Sequence, residues 1–242
     1  MKSIIRLNII LLLLISFGCS EDDNTPNEEP ILTVTDVDGN IYNTITIGSQ
    51  TWMLENLKTT TFNDDTPITK HLNGMDWGDI PNQTAQYQWA DTNDLNNVVD
   101  EELSFDFYGA MYNHWAIESG KLAPEGWRIP TQADFKELEN YLSENGLENQ
   151  KASALKSSSG WIPSSGNGTN AIQFNGLPNG YINVFGGSTL GQGICTWATT
   201  NVNTNIPIGS RTRVLVQLFE TEDILYEDNS IRIGSGIRCI KE

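Results

Sequence analysis

The sequence predicts an α+β domain in which antiparallel strands dominate. Three observations point there. The chain opens on short alternating runs broken by turn residues, it shows helical spacing only in its middle part, and it returns to strand-like runs near its end. Strands first, helices next and strands last is an order that favours antiparallel sheet and lets the two ends of the chain pair.

The elements follow in order. Ile31–Thr35 alternates apolar and polar residues, Asp38-Gly39 is a turn pair, and Ile41–Ile47 alternates again. Gly48-Ser49-Gln50 turns the chain into a third strand at Thr51–Leu54. Residues 63–104 have little periodicity and many Asn, Asp and Gly residues, so they read as a long excursion with one strand at Ala85–Trp89. Phe107, Ala110, Met111, His114 and Trp115 recur at helical spacing and predict a first helix. A second helix is better signalled. Thr131 is a good N-cap after Pro130, and Asp134 stands where a capping box needs a carboxylate. Phe135, Leu138 and Leu142 form the apolar stripe, and Gly146 suits the C-terminal end. A short third helix fits Lys151–Lys156. Beyond Ser157 the chain is rich in Gly, Ser and Asn, with strands predicted at Tyr181–Phe185, Thr196–Thr199, Arg211–Leu218 and Gly236–Ile240. No Pro/Ser-rich linker and no internal repeat divides residues 31–242, which read as one domain.

The first thirty residues carry an address. Lys2 and Arg6 precede an apolar run at Ile9–Ile15, too short for the roughly 20 residues that span a bilayer. Residues 1–18 therefore read as a signal peptide. The run ends in Ser16-Phe17-Gly18-Cys19, which resembles a lipobox, with Cys19 as the lipidated residue. Residues 19–30 contain no large apolar side chain and read as a disordered tether. The acidic run after Cys19 resembles the export signal of surface lipoproteins in the Bacteroidetes, so the expected place is the outer membrane, facing outward and held by lipid. The formal net charge is −17, and loss of Lys2 and Arg6 with the leader takes it to −19. That balance argues against nucleic acid as a partner and leaves the membrane to be reached through the lipid alone.

Several segments together resemble the Fibrobacter succinogenes major paralogous domain. They are Asp36–Tyr42, Ile47–Leu57, Tyr108–Asn113, Leu122–Thr131, Gly160-Trp161, Asn175–Tyr181, Thr196–Thr199 and Gly236–Lys241. The resemblance implies a C-type-lectin-like domain with antiparallel strands, two main helices and long loops. It implies no established activity. The Gly126–Thr131 segment is also similar to one in formylglycine-generating enzymes, a relation of fold rather than chemistry. Members of the family often carry Cys where this chain has Ala123. Cys239 would have bonded there, so it either pairs with Cys195 or stays free, and Cys195 and Cys239 are a candidate disulfide of an exported domain with two buried thiols as the alternative.

The remaining candidates are few. Trp127 and Trp197 read as core. Trp161, in a Ser/Gly/Pro-rich loop, and Tyr181 are candidate ligand-binding residues, because exposed aromatic rings stack on sugars or grip a partner protein. Asp91 and Asp94 put oxygen side chains at alternating positions and form a weak candidate Ca²⁺ loop, but it lacks the Gly and the Glu of an EF-hand. No lectin calcium triplet occurs, and a solvated acidic loop is the plainer reading; no cofactor is otherwise implied. His71 and His114 are the only histidines, too few for a zinc site, and His114 reads as packed in the core. There is no nucleophile elbow, phosphate loop or dinucleotide fingerprint. The function expected is a lipid-anchored surface module that binds a glycan or a protein. The alternatives are an enzyme that degrades an extracellular polymer with unidentified carboxylates, and a structural envelope component.

Overall fold

The opening alternation forms sheet. Strands β1 (Thr33–Thr35), β2 (Ile41–Ile47) and β3 (Gln50–Met53) make an antiparallel meander in which Ile45 lies opposite Trp52 and Val34 opposite Tyr42. The computed structural model describes residues 32–71, 77, 83–89, 105–190 and 193–242. Cys19, Asp91 and Asp94 lie outside these residues.

Two short strands complete this sheet. β7 (Trp127–Arg128) and the C-terminal β11 (Ile240–Lys241) give the order β1-β2-β3-β11-β7, so the two ends of the domain pair through Ile240 and Trp52. A second antiparallel sheet has the order β10-β9-β8, from Leu225–Ser230, Thr212–Leu218 and Cys195–Val202. A third joins β4 (Thr69–Lys70), β5 (Gln86–Gln88) and β6 (Met111–Tyr112), with β4 and β5 parallel. With three α-helices among these strands the fold is α+β, as the sequence predicts.

Strand alternation sorts the core into two clusters. Met53 and Cys239 face one side, among Tyr42, Leu57, Ile117 and Leu122, under helix α1 (His114–Glu118). Trp52 and Ile240 face the other, among Phe135, Leu138, Leu142 and Trp197, under helices α2 (Gln132–Glu144) and α3 (Lys151–Leu155). The α2 signals hold in detail. Thr131 and Asp134 close a reciprocal capping box, and Gly146 takes φ +78° just past the end.

The first helix is a correction. Phe105–Tyr108 is a 3₁₀ turn, Met111–Tyr112 is strand, and only His114–Glu118 is helical. Gly109, at φ +85°, breaks the run; a Cβ there would stand 2.5 Å from that of Asn56. Asn113 then caps the short helix by accepting from the Ala116 N–H. Tyr181–Phe185 is likewise not a ladder strand: Ile182 makes only isolated bridges to Ser188 and Gly234. The strand β10 was hidden because its Tyr-Glu-Asp-Asn-Ser is polar on both faces, being an edge strand.

His114 is packed, as expected, and not a free base. Its Nδ1 accepts from Arg213 at 2.9 Å, and the same guanidinium reaches Glu118 at 2.6 Å. Burial, then the Arg213 charge, push its pKa down to about 4. The folded imidazole therefore refuses a proton that the unfolded one takes near its ordinary value of 6.5. Its contribution to stability is full above that pH and is lost as pH falls towards 4. Denaturant midpoints measured from pH 7 to pH 4 should fall steadily, and His114→Gln, which still accepts from Arg213, should flatten that slope. An unchanged slope in the variant would assign the acid sensitivity to other groups.

Candidate functional site

The chain round Trp127 is a turn that becomes an edge strand. Trp127 N–H donates to the Pro124 carbonyl at 3.0 Å, Gly126 takes φ +77°, and β7 then pairs with β11 through Lys241 and Ile240. In strands successive side chains point to opposite faces. Arg128 turns towards α2, where its two terminal nitrogens each meet an Asp134 oxygen at 2.7 Å. Trp127 must therefore point away from α2. It packs, half-buried, against the cluster of Ile117 and Leu122, and its indole Nε1 donates to no described residue.

Beside it opens a cleft of about 430 Å³. Ile117, Leu122, Ala123, Pro124 and Ile129 are its apolar lining, and Asn63, Glu125, Thr131, Thr200 and Glu242 bring polar groups. The size falls within the roughly 300–1,000 Å³ of small-ligand pockets, and an apolar lining with a few polar groups is their usual character. Arg128 also lines the cleft, but as a fixed part of the scaffold. Burial pushes the Asp134 carboxyl up, yet Arg128 and the Thr131 N–H and hydroxyl outweigh it and hold it below the usual carboxylate range. The guanidinium and the α2 cap are thus one bidentate unit.

The two residues singled out as ligand contacts are elsewhere. Trp161 is 3% exposed, so it offers no surface to a ligand. Its Nε1 donates to Ser157 Oγ and the Gly176 carbonyl, and the Lys156 ammonium lies 4.6 Å from its ring centre. The Ser/Gly/Pro composition round it marks a loop folded over the indole. Tyr181 is half-buried beside a hollow of about 130 Å³, below the usual size for a ligand pocket. Trp197 is core, as expected, with Nε1 donating to Asn56.

The candidate disulfide does not form: Cys195 and Cys239 are buried free thiols. They belong to the two different core clusters. Burial pushes both thiols well above their ordinary pKa. Among the described residues no group of three or more His, Cys, Asp or Glu side chains converges as metal ligands.

Trp127, expected in the core, is instead half-buried at the edge of the Ile117 and Leu122 cluster and lines the cleft. The signal that finds the cleft was available. Arg128 has a carboxylate partner at the α2 cap, and alternation then sends its neighbour to the other face. The expected outcome for stability is the reverse of the sequence reading. Trp161→Ala should cost roughly 3–5 kcal/mol, as for other buried Trp truncations, whereas Trp127→Ala should cost about 1 kcal/mol. Urea midpoints of the two variants decide the ranking, and a larger loss in Trp127→Ala would return that indole to the core.

Comparison with curated proteins and with solved structures finds no match. A family model, the Fibrobacter succinogenes major domain, matches residues 45–241. That span holds the cleft up to Lys241 and most of the segments that carried the resemblance. The chain belongs to the Fibrobacter succinogenes major domain family.

Proposed function

We propose that this protein is a lipid-anchored binding module on the outer face of the outer membrane, and that its C-type-lectin-like domain takes a glycan in the cleft beside Trp127. The anchor reading rests on the basic start, the short apolar run, Ser16-Phe17-Gly18-Cys19 and the acidic tether. No helix among the described residues is long and apolar enough to cross a membrane. Support for the lectin-like fold comes from the antiparallel sheets, the capped α2 and the paired chain ends.

One observation carries the glycan. A half-exposed indole whose N–H donates to no described residue stands over an apolar-lined cleft whose polar groups, beside the paired Arg128, are hydroxyl, amide and carboxylate. A sugar ring presents an apolar C–H face ringed by hydroxyls, so it stacks on the indole while the hydroxyls meet Asn63, Thr131 and Glu125. The neutral amide and hydroxyl groups serve equally as donors and acceptors.

Two experiments test the two halves. Cys19→Ala removes the thiol that would carry lipid, so it should abolish lipid labelling and release the protein from membranes; continued partition into detergent would sink the anchor. For the cleft, a glycan array probed with the detergent-solubilised protein should give neutral-sugar hits that Trp127→Ala weakens at least about tenfold, a change of roughly 1.4 kcal/mol. Hits that survive Trp127→Ala would move the site elsewhere. Release of shortened sugars would favour the enzyme, and an empty array the structural role.

A further inference from the structure

The five-stranded sheet has two unlike edges. Its order is β1-β2-β3-β11-β7, so Trp127 on β7 lies four strand spacings from β1, roughly 19 Å at about 4.8 Å each. The β7 edge borders the cleft. The β1 edge is the part of the domain that follows directly on residues 19–30.

The β1 edge gathers exposed apolar groups. Among the described residues five large apolar side chains are exposed, and three of them belong to the β1–β2 hairpin. Leu32 is 62% exposed, Ile41 is 65% exposed, and Val37 stands out from the turn between the strands. Thr35 pairs with Ile41 and Val34 with Tyr42, so alternation puts Ile41 on one face of the sheet and Leu32 on the other. Apolar groups therefore flank the edge on both sides. Phe107 is the fourth and sits at the same end of the molecule. Its neighbour Asp106 meets Lys58 at 3.4 Å, and the Lys58 N–H donates to the Tyr42 hydroxyl. β1 itself, Thr33-Val34-Thr35, carries no charge, whereas the edge strand β10 carries Glu227 and Asp228. Charges on an edge keep other strands from adding to it, and β1 lacks that protection.

The carboxylates of this end are turned inward. Asp36 accepts from the Asp38 and Asn40 N–H groups and from the Tyr42 hydroxyl. Asp38 accepts from Thr59 and Thr60, and Glu55 accepts from Asn43. Polar groups already hydrogen-bonded within the protein cost less to bring against an apolar phase. In a chain of net charge −17, this end bonds its acids internally and turns its apolar side chains out.

Chain length names the occupant. Leu32 stands thirteen residues after Cys19, the expected lipid site. A flexible chain of that length spans about 20 Å on average and about 45 Å when taut. Its carboxylates, Glu21, Asp22, Asp23, Glu28 and Glu29, stretch it towards that limit and not past it. A compact domain the size of residues 31–242 is roughly 43 Å across. A far face would meet the membrane only with the tether drawn taut, whereas the β1 edge meets it with the tether slack.

We infer that the β1–β2 edge rests on the lipid surface, with Leu32, Val37, Ile41 and Phe107 set into the boundary between headgroups and acyl chains. Headgroup oxygens and water accept from the unpaired β1 N–H groups. The Trp127 cleft is then held outward at the opposite edge of the same sheet. This rests on the anchor reading and is independent of the ligand that the cleft takes.

The test is lipid quenching on the full lipidated chain, reconstituted in phosphatidylcholine vesicles that contain nitroxide-labelled lipid. Cys195 and Cys239 are buried, so a thiol-reactive NBD dye attaches only at an introduced surface cysteine. Dye at Ile41→Cys or Phe107→Cys should shift to the blue and be quenched by the labelled lipid, and dye at Glu125→Cys, on the cleft rim, should do neither. Flotation with the vesicles reports the anchor separately. Adding Leu32→Ser, Val37→Ser and Ile41→Ser should lower quenching at Phe107→Cys to the level of Glu125→Cys while the protein still floats. Melting curves of these variants confirm that the fold is kept. Floating protein with no site quenched above Glu125→Cys overturns the docking and leaves the anchor standing. Quenching at Glu125→Cys that equals or exceeds Ile41→Cys also overturns it, because the cleft edge then faces the lipid. A blue shift at Ile41→Cys that labelled lipid does not quench, and that dilution of the protein reverses, assigns the edge to a second copy and overturns the lipid contact. Failure to float removes the anchor and the docking with it.

Discussion

A buried arginine in no ion pair with any described carboxylate organises this fold. Arg238 is 0% exposed, and no described carboxylate pairs with it. Stripping water from such a charge costs several kcal/mol unless other groups replace the solvent. Here they do: Nε and one terminal nitrogen donate to Asn56 Oδ1 at 3.1 and 2.9 Å, and the other terminal nitrogen donates to the Phe174 carbonyl. The flat faces of Phe174 and Trp197 lie 4.9 and 5.1 Å from the guanidinium carbon. Burial lowers its pKa to about 10, which still leaves it charged at neutral pH. The same Asn56 oxygen accepts from Trp197, and its amide nitrogen donates to Tyr108. Five chain segments distant in sequence, at Asn56, Tyr108, Phe174, Trp197 and Arg238, therefore meet at one polar point inside an apolar core.

That point fixes the C-terminal segment as a seam. On either side of Arg238 the backbone serves every sheet: Ser235 bridges Tyr112, Gly236 bridges Trp197, the Ile237 and Cys239 carbonyls accept from Leu57 and Met53, and Ile240 pairs with Trp52 and Arg128. β7 hangs from this seam, and β7 aims Trp127 into the cleft. Its other support is the Arg128–Asp134 fork, which ties the strand to the start of α2. The rim of the cleft and the first turn of α2 are thus held by the same few bonds.

Much of the fold was legible because it follows from local rules. Alternation located β2 and β3, the Thr131–Asp134 box located α2, and Gly146 located its end. What failed was mostly long-range. The helical spacing of Phe107 to Trp115 is real, but Gly109 is required against Asn56, fifty-three residues back, and a periodic count cannot see that contact. Cys195 and Cys239 are an even pair by number, yet they lie in different core clusters and remain free thiols. Trp161 in a polar loop and Trp127 beside a helix cap exchanged roles for a similar reason. Composition describes the residues next in sequence, whereas burial depends on what the loop is folded over. The site was therefore half legible: the family segment that contains it stood out, and the orientation of its aromatic residue did not.

The placement of cations sets how the surface can act. Arg213, Arg238 and Lys156 are buried, and Arg128, Lys136 and Lys151 are matched to Asp134 and Glu139. In a chain with 14 basic and 31 acidic residues, much of the positive charge is therefore spent inside or next to a carboxylate. The net charge of −17 is therefore carried by carboxylates that no cation offsets. The buried cations hold the strands behind the surface: Arg213 ties β9 to α1 through Glu118, and Arg238 ties the C-terminal segment to Asn56.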